Sequence, residues 1–320
     1  VAEIDSHMYK LLLSRIKLLS DMKLNIHNTS QDGRFSVEFG DLEIQIRSSV
    51  LPGEYGENVA LRVLNPASLL SMENLGIRKD LLEIVEKQIK KPNGMILATG
   101  PTGSGKTTTL YAFLKKLKTP EAKIITVEDP IEYHLEGISQ TQIDPEGGYT
   151  FSTGLRSILR QDPNIILVGE IRDLETADIA LQASLTGHLL LSTLHTNDAA
   201  GVVPRLMDLG ANSATIGPAL NMAIAQRLVR KVCDKCRELK EATYEELSIL
   251  RKELGKTGEN AKIPKAKGCG ACNESGYKGR VGIYEILVND PEFEKFIIGK
   301  PSITEMRQYL KEKEMTTMKQ

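Results

Sequence analysis

Residues 100–107 read GPTGSGKT, a complete G-x-x-x-x-G-K-[ST] loop, and this octet constrains the chain more than any other feature. Its glycines let backbone N–H groups turn inward around phosphate oxygens, Lys106 reaches toward β- and γ-phosphates, and the Thr107 hydroxyl suits Mg²⁺. The flanks agree. Met95-Ile96-Leu97-Ala98 is a short apolar run that predicts a buried strand. Residues Thr108 to Leu114 predict a helix whose positive N-terminus faces the phosphates. Gly100, Pro101, Thr102, Gly103, Ser104, Gly105, Lys106, Thr107 and Thr108 are the candidate nucleotide contacts. The competing reading is a Gly-rich turn that matches by chance; strand, octet and helix in succession argue against it.

A chain of 320 residues suggests two domains or three small ones. With 41 basic against 42 acidic residues the net charge is −1, which provides no broad basic field for nucleic acid. No apolar run is long enough to span a bilayer, and no signal peptide is visible. The four cysteines all follow residue 230, so the body does not depend on disulfides and a reducing cytoplasm fits. The chain opens at Val1 without an initiator methionine, which suggests a fragment.

Leu11, Leu12, Ile16 and Leu19 recur at helical spacing between Met8 and Ser20. FSVEF and LEIQIR then alternate around Gly40-Asp41, a β-hairpin pattern, and residues 59–64 read as another strand. Residues 1–66 are thus expected to form a small α+β domain, with a linker over 67–78. From 79 the pattern becomes α/β, with strands predicted at 95–99, 124–127, 164–168 and 188–193 and a helix at Leu174–Ser184. Such alternation implies a mostly parallel sheet with its ligand at the strand C-termini. This nucleotide-binding core is expected to run over 79–232, a four-cysteine subdomain over 233–273, and a helical subdomain over 274–320. Residues 255–268, rich in Gly and Lys, predict a loop.

Hydrolysis at such a loop needs Mg²⁺ and a group that orients or deprotonates water. IILVGE ends in Gly169-Glu170, so Gly replaces the Asp usual at the end of such a strand, and the remaining Glu170 is a candidate to hold a metal-bound water or act as base. Glu128, Asp129 and Glu132 form a second acidic cluster after ITV. Glu128 shares with Glu170 the candidate role of positioning the attacking water, since both are expected on the phosphate edge of the sheet, while acids such as Asp129 and Glu132 also serve as local caps in turns and first helical turns. His195 follows the strand HLLLSTL and can contact phosphate or sense its loss, while a purely structural histidine is the alternative for it and for His188. Arg47 and Arg62 lie on first-domain strands, where they serve either as arginine fingers or as ordinary salt-bridge partners.

Cys233-Asp-Lys-Cys236 and Cys269-Gly-Ala-Cys272 are two CxxC pairs separated by 32 residues. Two such pairs converge on one tetrahedral Zn²⁺ of structural type. Redox-active pairs or free thiols are the alternatives, and no thioredoxin-like βαβ start accompanies them.

The loop at 100–107, ITVEDPIEY (124–133), LRQDPNIILVGEIRD (159–173) and TGHLLLSTLHTND (186–198), in this order, resemble the four nucleotide-site motifs of the secretion and type IV pilus traffic ATPases. The resemblance covers nearly the whole chain. It implies a RecA-like P-loop NTPase core behind a PAS-like N-terminal α+β domain, the former with a C-terminal zinc-binding and helical subdomain. Both chain ends are expected to be truncated relative to the family. It also implies a homo-hexamer that binds ATP between domains, with Arg47 and Arg62 as fingers, since IRSSVLPGEYGENVALRVL matches the family's finger-bearing strand pair. The four-cysteine insert is similar to the type II secretion ATPase and the pilus extension ATPase.

The function so implied is a cytoplasmic motor ATPase, peripheral to the bacterial inner membrane, with ATP, Mg²⁺ and Zn²⁺ as ligands. Its partners would be an inner-membrane platform protein and associated cytoplasmic-face assembly proteins, with pilin or pseudopilin assembly as output and no nucleic acid. A nucleic-acid-dependent P-loop motor with a zinc ribbon is the alternative; the balanced charge and 5% aromatic content weigh against it. A nucleotide-binding subunit that does not hydrolyse is a third reading, opposed by Lys106, Glu128 and Glu170 being intact.

Overall fold

The computed structural model describes residues 3–40, 42–64, 71–254 and 261–319. The chain divides into two compact units, Val1–Leu69 with Glu132–His134, and Leu70–Ile131 with Leu135–Gln320.

In the first unit, helix α1 (Ser6–Leu19) starts where the Asp5 carboxylate accepts the Met8 N–H at 2.9 Å. Strands β1 (Gln31–Phe39), β2 (Leu42–Gly53) and β3 (Gly56–Leu64) follow as an antiparallel sheet in the order β1-β2-β3. Phe39 pairs with Leu42 across the expected hairpin, whose Gly40 has φ 61°. The helix is tied to the sheet by a buried ion pair, Lys17 Nζ to Glu57 Oε1 at 2.5 Å.

The second unit is the α/β core. Its elements are α2 (Lys79–Ile89), β4 (Gly94–Thr99), α3 (Lys106–Leu117), β5 (Ile124–Glu128), β6 (Ser139–Gln142), α4 (Phe151–Leu159), β7 (Ile165–Val168), α5 (Leu174–Leu185), β8 (Leu189–Leu194), α6 (Val202–Asp208), α7 (Ser213–Ala219) and β9 (Leu220–Val232). After these come β10 (Glu238–Glu241), α8 (Tyr244–Leu254), β11 (Lys262–Lys265), β12 (Tyr277–Val288), α9 (Pro291–Ile298) and α10 (Ile303–Glu312). The main sheet has seven strands in the order β12-β9-β4-β8-β7-β5-β6, parallel throughout except for β12 against β9. Every residue of β4, β5, β7 and β8 is buried, which is why these strands read as unbroken apolar runs and not as alternation. This is the RecA-like α/β core.

Strand β8 lies between β4 and β7. At roughly 4.8 Å per strand, the phosphate loop after β4 and Glu170 after β7 leave their strands about 9–10 Å apart, with the end of β8 between them. Threonines stitch this edge. Thr99 Oγ1 donates to the Leu194 carbonyl at 2.9 Å, and Thr193 Oγ1 donates to the Gly169 carbonyl at 2.8 Å.

Two expectations are corrected. Residues 274–320 are not wholly helical: Tyr277–Val288 is β12, which pairs with β9 at the sheet edge. These two strands form a long arm, buried at the Leu220 end of β9 and exposed toward Val232, with the cysteines at its tip. Nor is 255–268 all loop: Lys262–Lys265 is β11, antiparallel to β10. Both are short and mostly exposed, so no apolar periodicity announces them. The rest of that loop through Asn260, and the linker residues 67–70, lie outside the described residues. Beyond them, the Tyr284 hydroxyl of β12 donates to the Leu75 carbonyl at 3.1 Å and fixes the remainder of the predicted linker to the core. Among the described residues no helix is long and apolar enough to cross a membrane.

Candidate nucleotide site and cysteine cluster

The loop from Gly100 to Gly105 joins β4 to α3. Gly100 has φ 139°, and a Cβ there would stand 2.4 Å from the Gln226 carbonyl oxygen, so the position demands glycine. Gln226, buried on β9, donates from Nε2 to the Ser104 carbonyl at 2.6 Å and braces the loop from outside. Helix α3 has no side-chain cap and no acid in its first turn, so its positive end is left for an anion. Lys106 Nζ folds over the loop and donates to the Gly100 and Pro101 carbonyls at 2.8 and 3.3 Å. Burial holds this ammonium below its ordinary pKa, against the opposing pull of the Glu170 charge.

Glu170 and His195 arrive from β7 and β8 at the same edge. His195 Nε2 is 3.4 Å from Glu170 Oε2, and the Arg172 guanidinium pairs with Glu170 and reaches Asp129 at 3.6 Å. Contact with Glu170 outweighs desolvation and raises the Arg172 pKa further, so Arg172 stays charged. His188 lies at the opposite end of β8, where Nδ1 meets the Ala183 carbonyl at 3.1 Å, and is not brought to this edge. Gly169, which stands where an acid is expected before Glu170, is closely packed: a Cβ there would lie 3.1 Å from Phe151 Cε1 and 3.4 Å from Glu128 Cα, so a larger residue would need the Phe151 ring to shift.

Glu128, at the end of β5, is 3% exposed and turned inward. Its carboxylate accepts from the Tyr111 hydroxyl, from Thr126 Oγ1 at 2.5 Å and from Gln140 Nε2 at 3.0 Å. Of the two acids, Glu170 is therefore the one open to the loop's edge.

In the first unit, Arg47 and Arg62 stand directly opposite each other on β2 and β3. Glu132, which groups with that unit, bridges them at 3.6 and 3.3 Å. The like charges of a cross-strand pair are thus held together by one carboxylate.

Cys233 follows the end of β9, and Cys272 precedes β12. The four cysteines are free thiols whose sulfurs all lie within 4.8 Å of one another. Cys236 and Cys269 each place Sγ 3.8 Å from Cys272 Sγ. A tetrahedron with arms of about 2.3 Å has edges of about 3.8 Å, so the sulfurs fit a tetrathiolate metal. Burial pushes Cys236 up to about 11. Burial also acts upward on Cys272, but N–H groups of Cys269 and Gly276, at 3.2 and 3.3 Å, hold it down to about 7. Amides aimed at sulfur favour the thiolate form that a metal takes.

A family model described as "Type II/IV secretion system protein" matches residues 1–320. The chain belongs to this family. Among relatives, it is 46% identical to "Type II secretion system protein E" of Pseudomonas aeruginosa over 97% of its length and 61% of the relative's. It is 42% identical to "Type IV pilus assembly ATPase PilB" of Thermus thermophilus over 97% of its length and 35% of the relative's. The chain therefore spans about three fifths or less of these relatives. A solved structure of the pilus retraction motor PilT with bound ADP superposes with a TM-score of 0.64 at 28% identity, covering 90% of the chain and 71% of PilT.

Within this member of the secretion family, sequence reasoning missed Arg172, Tyr111, Gln140 and Gln226. Arg172 was accessible, because it stands two residues after Glu170 in a turn. Tyr111 read as an ordinary apolar position of a helix. Gln140 and Gln226 carry no local signal, since their partners Glu128 and Ser104 are distant in sequence.

Proposed function

We propose that this chain is the catalytic part of a motor ATPase that hydrolyses ATP to ADP and phosphate to drive type II secretion or type IV pilus extension. The observation that carries the reading is the convergence of the uncapped α3 loop, Lys106, Glu170 and His195 on one edge of a parallel sheet. The names of the secretion and pilus relatives support the machine, and the ADP bound to PilT supports the nucleotide.

In this reading Lys106 leaves its carbonyls for the β- and γ-phosphates, and the α3 amides hold the remaining charge. Thr107 would hold Mg²⁺ through its hydroxyl, and the bound ion would supply charge neutralisation at the phosphates. Glu170 orients a water for attack on the γ-phosphorus, with the inward-turned Glu128 carboxylate as the second acid of that step; the bond from that phosphorus to the bridging β-oxygen breaks, and the water's proton passes to Glu170 or to the phosphate released. His195, paired to Glu170, senses the γ-phosphate. Arg47 and Arg62 act as arginine fingers, a reading supported by their facing register on β2 and β3; in that role they leave the Glu132 carboxylate that pairs with both here. The four thiolates hold one structural Zn²⁺. Further partners would be a homo-hexameric ring, an inner-membrane platform protein and associated cytoplasmic-face assembly proteins, with the motor cytoplasmic and peripheral to the membrane.

The test follows ATP turnover against protein concentration, with and without DNA, in the parent chain and in Lys106→Ala. Turnover that rises with assembly, ignores DNA and vanishes in the variant supports the motor. Stimulation by DNA that fades with salt overturns it in favour of a nucleic-acid motor.

A further inference from the structure

The carboxylate of Glu128 is more completely held than any acid at the nucleotide edge. Its Oε2 accepts from the Tyr111 hydroxyl, while its Oε1 accepts from Thr126 Oγ1 and Gln140 Nε2. Tyr111 is fully buried and sits on α3 four residues after Thr107, one turn deeper on the same helix face. Gln140 sits on the edge strand β6, and its amide cannot turn over freely: Oε1 accepts the Leu135 N–H at 2.7 Å, which leaves Nε2 for Glu128. The network thus joins the helix that starts at the phosphate loop, the strand that ends in Glu128, and the chain at Leu135.

A buried carboxylate with donors on both oxygens has one orientation, and losing a donor strands an acceptor away from water. We infer that Tyr111 and Gln140 are positioning residues for the hydrolysis proposed above, on which this inference rests, and that they act through Glu128 by fixing its carboxylate beneath the first turns of α3. Tyr111 ties that carboxylate to the turn below Thr107. Gln140 ties it to the chain returning at Leu135. Neither side chain touches the reacting atoms in this scheme.

The experiment is a double-variant cycle on the full chain, with Tyr111→Phe, Gln140→Glu and Glu128→Gln alone and in pairs. Tyr111→Phe keeps the ring and removes one donor; Gln140→Glu keeps the shape and sets a second carboxylate against Glu128. Each is expected to lower kcat about tenfold or more, with KM for ATP within about twofold. In the Glu128→Gln background neither change lowers kcat further, because the charge they position is gone. A second readout needs no nucleotide. Tyr111→Phe lowers the melting temperature of the nucleotide-free chain by more than it lowers that of Glu128→Gln, where the hydroxyl's contact with Gln140 Nε2, at 3.4 Å, is still there to lose. Equal losses in both backgrounds, or parent kcat in Tyr111→Phe, overturn the inference. Parent turnover in Glu128→Gln also overturns it, while leaving hydrolysis through Glu170 standing. Failure of the hydrolysis reading itself is distinct: the parent then shows no turnover that Lys106→Ala removes, and both fall.

Discussion

Glu170 Oε2 and His195 Nε2 meet at 3.4 Å from the ends of neighbouring parallel strands, β7 and β8. The contact follows from strand order. With β8 inserted beside β4, the histidine stands between the phosphate loop and the acid. A ligand that draws on either side chain must disturb the other.

Glu170→Gln removes the charge with little change in shape. Nucleotide affinity should stay within about threefold, while phosphate release falls by about 100-fold or more, the range lost with a catalytic base. Equilibrium binding of a labelled nucleotide, beside a phosphate-release assay, separates the two. Parent turnover in this variant would leave Glu170 without a role in water activation.

Arg47 and Arg62 should affect turnover more than affinity. A finger acts on charge that develops in the transition state, so Arg62→Ala and Arg47→Ala are each expected to lower kcat about 100-fold with KM little changed. Glu132→Gln should have a smaller effect, because it loosens both guanidiniums and removes neither. Steady-state kinetics decides it: a rise in KM at constant kcat would assign the arginines to ground-state binding.

The nucleotide edge was legible because the physics there is local. A phosphate loop needs its residues in one stretch, and strands buried on both faces show as apolar runs with their chemistry at the end; Glu170 and His195 were found this way. The arm formed by β9 and β12 was not. Strand β9 follows α7 without a break, and LNMAIAQ lacks alternation because all seven residues are buried. Its partner starts 45 residues after β9 ends, a pairing no local pattern reports. The inward turn of Glu128 was hidden for a related reason. It depends on Tyr111, 17 positions away on another element, and a buried tyrosine hydroxyl looks the same in sequence as any core aromatic.

The cysteine cluster should carry one Zn²⁺ per chain. Its sulfurs all lie within 4.8 Å of one another, the Cys272 sulfur stands at the tetrahedral edge length of 3.8 Å from both Cys236 and Cys269, and two backbone amides favour the Cys272 thiolate. Elemental analysis of purified protein is expected to give a ratio near one, falling to near zero in Cys272→Ser. Removal by chelator should loosen the tip of the arm while sparing the core, read as faster amide exchange over residues 233–240 and 269–280. Four titratable thiols in an active, metal-free protein would rule out a structural metal.

The buried pair Lys17–Glu57 should make the first unit sensitive to acid. Glu57 is buried yet ionised: burial pushes its carboxyl up, but hydrogen bonds from His27 and Lys17 outweigh that and hold it below its ordinary 4.5. Lys17 is also anchored to the Ile26 carbonyl at 2.7 Å. Below 4.5 the unfolded chain therefore binds a proton that the native state refuses. The pair's contribution is complete above 4.5 and disappears as the pH falls through the lowered native value. Lys17→Met leaves a buried carboxylate without its cation and should cost about 3–5 kcal/mol at neutral pH. The variant should also lose stability more slowly than the parent on acidification, because protonation now relieves the stranded charge. Replacing both partners, Lys17→Met with Glu57→Leu, should recover most of the loss. Urea unfolding between pH 4 and pH 8 reads all three, and a double variant no more stable than Lys17→Met would show that packing around the pair, and not its charge, holds α1 to the sheet.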